Sequence, residues 1–68
     1  MTKSEAFRNL LQSQELLDEV EAMKKELMDM IINSDDDESS VREAAYVRIR
    51  TINELMARFE SIAKDDEI

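Results

Sequence analysis

The sequence predicts an all-α protein: two long helices folded back on each other as an antiparallel hairpin, dimerising into a four-helix bundle. Three observations carry that expectation. The 68 residues include no Gly and no Pro, so nothing forces a break inside a helix. Apolar residues recur three and four apart on both sides of one interruption, which is the helical period and not the strand period. The interruption itself, residues 33–40 with the sequence N-S-D-D-D-E-S-S, holds no apolar residue, and it reads as the bend.

The first helix is expected over residues 2–32. Thr2 and Glu5 have the spacing of a capping box, in which a hydroxyl and a carboxylate each accept from the other's backbone amide; Ser4 is an alternative cap. Setting Leu10 at heptad position a places Leu10, Leu17, Lys24 and Ile31 at a and Ala6, Ser13, Val20 and Leu27 at d. Leu16, Met23 and Met30 widen the stripe on one flank, and Phe7 and Met28 on the other. A stripe that wide fits a helix with more than one neighbour better than a two-stranded seam. Glu15, Asp18, Glu19, Lys25, Glu26 and Asp29 take the opposite side, together with Leu11.

The acidic turn spans residues 33–40. Ser40 and Glu43 repeat the capping-box spacing and suggest that the second helix starts at Ser40. A start near Ser34 or Asp35 is the alternative, with Asp36, Asp37 and Glu38 in the first turn, where negative charge suits the helix dipole. The second helix is expected over residues 40–64. Its seam runs Val41, Ala45, Arg48, Ile52, Leu55, Phe59 and Ile62, flanked by Ile49, Met56 and Ala63. Residues 65–68 are expected to form a frayed acidic tail, because acidic charge is unfavourable at a helix C-terminus.

Folding the chain about Asp36 and Asp37 sets Ile31 near Val41 or Arg42, Leu27 near Ala45, Val20 near Ile52, Leu17 near Leu55 or Met56, and Leu10 near Ile62. Apolar meets apolar in nearly every layer. The exception pairs Lys24 with Arg48. These two cations either snorkel to the rim, with stems buried and heads on carboxylates such as Glu21 or Glu26, or form a polar layer that fixes register. Two helices bury a narrow seam, and a chain this short is marginal alone. Without Cys or His, disulfides and thiolate or imidazole metal sites are absent as staples, so a second copy is the expected one.

The charge bounds the function. Seventeen acidic residues against nine basic give a net charge of −8. That disfavours direct contact with a nucleic-acid backbone or an anionic membrane surface and suits docking on a basic protein surface. Apolar runs such as Met30-Ile31-Ile32 fall far short of the about 20 residues of a membrane span. The first residues lack the apolar core of a signal peptide, so a cytoplasmic location is expected.

The acidic turn does not match a calcium loop. Starting at Asp35, Ser40 stands where the EF-hand needs Gly and Tyr46 where it needs a bidentate acid. A di-metal bundle site wants Glu-x-x-His facing the core, and there is no His. No catalytic constellation is evident, so a non-enzymatic protein without cofactor is expected. Tyr46 and Val47 lie near the bend and off the main stripe and, together with Met28, form a candidate partner surface; Met23, Met28 and Met30 add adaptable side chains to that end.

Met1-Thr2-Lys3 at the start and Ala57-Arg58-Phe59 near the end, with a hairpin between them and acidic residues after, resemble the plasmid-encoded Rop family. That resemblance implies a helical hairpin that dimerises into an antiparallel four-helix bundle, and an RNA-binding regulator working through a basic, Phe-bearing face. The acidic exterior here departs from that face. The expected function is therefore a small acidic interaction protein that self-associates. The alternatives are an acidic inhibitor or nucleic-acid mimic that docks on a basic surface, and a Rop-type RNA binder.

Overall fold

The computed structural model describes residues 2–65. Three helices form: α1 (Lys3–Leu11), α2 (Gln14–Ile32) and α3 (Ser39–Ala63). No strand occurs among the described residues. α1 and α2 lie one after the other along α3, and both pack on it. Their partners descend along the chain: Arg8 reaches Ala63, Lys24 reaches Asn53, and Ser34 receives Arg42. α3 therefore runs against both. The Cα trace measures 51 × 22 × 11 Å, a layer two helices wide and one helix thick.

The start of α1 is fixed by the Thr2–Glu5 capping box. Thr2 Oγ1 accepts from the Glu5 amide at 3.1 Å, and Glu5 Oε1 accepts from the Thr2 amide at 3.2 Å. The continuous helix expected over 2–32 is divided at Gln12 and Ser13. Ser13 is extended (φ −75°, ψ 111°), and its Oγ accepts from the Leu16 amide as the N-cap of α2. A serine hydroxyl competes with the helix for backbone donors, so a residue expected at a core heptad position instead begins a new helix. The break resets the phase of α1. Leu10, expected in the seam, is 41% exposed, while Leu11, expected on the polar face, is half-buried.

The turn also differs from the sequence expectation. α3 begins at Ser39, its N-cap is Glu38, and no side chain caps it; the Ser40 capping box does not form, because Ser40 already lies within the first turn. Order comes from two other groups. Glu38 Oε1 accepts from the Asp35 amide at 2.8 Å, and the Glu38 amide donates back to the Asp35 carbonyl at 2.9 Å. The Arg42 guanidinium reaches back from α3 to Ser34 Oγ at 3.0 Å and to the carbonyls of Asp35 at 2.7 Å and Asp36 at 3.5 Å. It satisfies acceptors the turn leaves open. At the far end Lys64 caps α3 by donating its amide to the last turn. Asp65 is an exposed turn residue; the rest of the expected acidic tail lies outside the described residues.

The seam on α3 is rotated by one flank from the expected line. Buried or half-buried positions run Arg42, Ala45, Ile49, Ile52, Met56, Phe59 and Ala63, a 3-4 repeat as regular as the expected one. Ile49, Met56 and Ala63, expected as flank, face α1 and α2. Arg48 and Leu55, expected in the seam, are exposed, and Ile62 is half-buried. Opposite them lie Leu17, Val20, Lys24, Leu27 and Ile31, all half-buried or buried. Small residues explain the rotation: Ala45 and Ala63 are 1% and 6% exposed, and alanines let two backbones approach. Between them the rings of Phe7 and Phe59 stack tilted, with centroids 5.2 Å apart, inside the favourable range for aromatic pairs.

Candidate interaction surface

The rotated seam gives the α2/α3 layer two unlike faces, each carrying a shallow groove. One groove, of about 360 Å³, runs between Leu17, Val20, Glu21 and Lys24 on α2 and Asn53, Met56, Ala57 and Glu60 on α3. Polar groups bridge it. Lys24 Nζ donates to Asn53 Oδ1 at 3.4 Å and pairs with Glu21 at 3.4 Å. Lys24 therefore resolves as a rim lysine, its stem along the seam and its head on acceptors. The shared layer with Arg48 expected from the sequence does not form, because rotation of α3 turns Arg48 to the other face and offers Asn53 instead.

The second groove, of about 330 Å³, is lined by Met23, Glu26 and Leu27 on α2 and by Arg48, Thr51 and Ile52 on α3. Here the walls are chiefly apolar and nothing bridges them. Residues seven apart stack on one side of a helix. Leu16, Met23 and Met30 thus extend the α2 wall, and Arg48, Leu55 and Ile62 extend the α3 wall. Met23 is 52% and Leu55 50% exposed. Arg48 stands in this apolar surround without a hydrogen bond or ion pair among the described residues.

Of the residues expected in the interface, Leu17, Val20, Leu27, Ile31, Val41, Ala45, Ile52 and Phe59 are half-buried or buried within the chain, while Leu10 and Leu55 are left to solvent. The three residues expected as a partner surface are all exposed. Tyr46 and Val47 are consecutive, so they point about 100° apart around α3. No side chain large enough to form a hydrophobic core is fully buried among the described residues, and no group of three or more carboxylates gathers as a metal site there. None of the described helices is long and apolar enough to cross a membrane.

Comparison with protein-family models, with curated proteins and with solved structures finds no match for this chain.

Proposed function

We propose that this chain is a non-enzymatic interaction protein that pairs with a second copy of itself through the open apolar face, giving a bundle four helices in cross-section, with α1 and α2 of each copy lying one after the other along its α3. The carrying observation is the pair of heptad stripes around an unbridged groove, Leu16–Met23–Met30 and Arg48–Leu55–Ile62, exposed at Met23, Met30, Arg48 and Leu55 and half-buried at Leu16 and Ile62. Heptad spacing is the pattern by which helices pack on helices, and the remaining helix among the described residues, α1, is packed along α3 ahead of α2. Two further facts support a like partner. The chain buries little of its own apolar surface, with Leu27, Ala45 and Ala63 its buried hydrophobic residues. The 51 × 22 Å extent of the Cα trace sets an upper bound on the order of 1,000 Å² for the area a second copy can cover, against the roughly 800 Å² per partner of a stable interface. Light scattering after size exclusion tests this. A mass near twice 7.9 kDa that persists into low micromolar protein is expected; a 7.9 kDa species throughout contradicts it.

A second reading draws on the turn. The Arg42 clamp holds the carbonyls of Asp35 and Asp36, and the side chains of Asp36 and Asp37 stay exposed, on a chain of net charge −8. Such a tip suits docking on a basic protein surface. Binding of that kind weakens with salt and is lost when the acidic residues of the turn are neutralised.

A further inference from the structure

We infer that Arg48 is the residue that sets register between the two copies, by pairing with Glu26 of the partner subunit. The inference rests on the self-association proposed above and names the contact that orients it.

Arg48 and Glu26 stand on the two walls of the same open groove, and so at nearly the same height along the layer. Within one chain they form no ion pair. Both are exposed. Covering this face with an apolar partner would strand the guanidinium, and an unpaired buried charge is strongly destabilising. A twofold axis running along the α2/α3 seam removes the problem. It lays α3 of one copy on α2 of the other and leaves heights unchanged, so Arg48 arrives over the partner's Glu26. The symmetric contact forms at the same time, giving two pairs per dimer. The same rotation sets the Leu16–Met23–Met30 stripe on the partner's Leu55 and Ile62, and every helix then runs against both of its neighbours. A guanidinium fork matches a carboxylate bidentately, which gives the pair directional content that the apolar stripes lack.

The test uses the full chain and charge reversal. Arg48→Glu sets carboxylate against carboxylate, and Glu26→Arg sets guanidinium against guanidinium, twice per dimer in each case. Each variant alone is expected to raise the dimer Kd by roughly tenfold or more, with helicity by circular dichroism unchanged at matched oligomeric state. Mixing the two variants is then expected to restore wild-type affinity as a heterodimer, visible by native mass spectrometry as one chain of each mass. In that heterodimer both cross-chain pairs are complementary.

Single variants that dimerise like the wild type overturn the pair and leave self-association standing. Recovery in the doubly substituted chain without recovery on mixing places the pair inside one chain and overturns the inference. A monomeric wild type overturns both the inference and the reading beneath it.

Discussion

On one side of the α2/α3 seam, Lys24 is held by Asn53 and Glu21 across a groove of mixed polar and apolar side chains. On the other, Met23 and Leu55 stand half in solvent around an arginine with no partner among the described residues. The same two helices build both faces, with grooves of similar size that are offset along the layer, the first beside residues 17–24 of α2 and the second beside residues 23–27. The difference teaches that hydrophobic content alone does not say where a small helical layer is finished. On the first face the cation lies beside an amide and a carboxylate and is paired with both; on the second the cation shares its groove with Met23, Leu27, Ile52 and the carboxylate of Glu26 and pairs with none of the described residues.

The comparison breaks first on the open side. Met23→Glu with Leu55→Glu places two further charges on each copy's face. It is expected to raise the dimer Kd by about 30-fold or more, the scale of losing an interface hot spot, as read by sedimentation equilibrium. An unchanged Kd would mean that another surface joins the copies. The closed side sharpens the contrast by its small response. Lys24→Ala removes one long hydrogen bond and one exposed ion pair, so it is expected to change stability in thermal unfolding by about 1 kcal/mol or less and to leave the dimer Kd unchanged. A loss of dimer in Lys24→Ala would reverse the assignment of the two faces.

Helical content, the bend at the acidic turn and the Thr2–Glu5 cap were legible because each rests on neighbours in sequence. Composition and period fix a helix locally, and a capping box spans four residues. Rotation of α3 about its axis was not legible. The lines Val41–Arg48–Leu55–Ile62 and Arg42–Ile49–Met56–Ala63 repeat equally well, and the choice between them depends on where alanines allow close approach, which is a property of the packed pair. The break at Ser13 left a signal that the heptad reading overrode: a hydroxyl residue at a core position, with a leucine amide three residues on, is a helix start as much as a core defect. Arg42 was hidden for a related reason. A guanidinium that satisfies backbone carbonyls six and seven residues earlier has no sequence signature beyond being an arginine after a turn. The open face was legible as the surplus width of the stripes, while its location, on the Met23–Leu55 side, required the structure.

The most direct measurement uses the absence of cysteine from the chain. A single thiol is introduced on each face, Leu55→Cys on the open one and Ala57→Cys beside the closed groove, and maleimide labelling is followed across protein concentration. The thiol at position 55 is expected to be slow to label at high micromolar protein and fast on dilution, while the thiol at position 57 labels at one rate throughout. Equal, concentration-independent labelling of both thiols would contradict the account, as would protection at position 57 instead of 55.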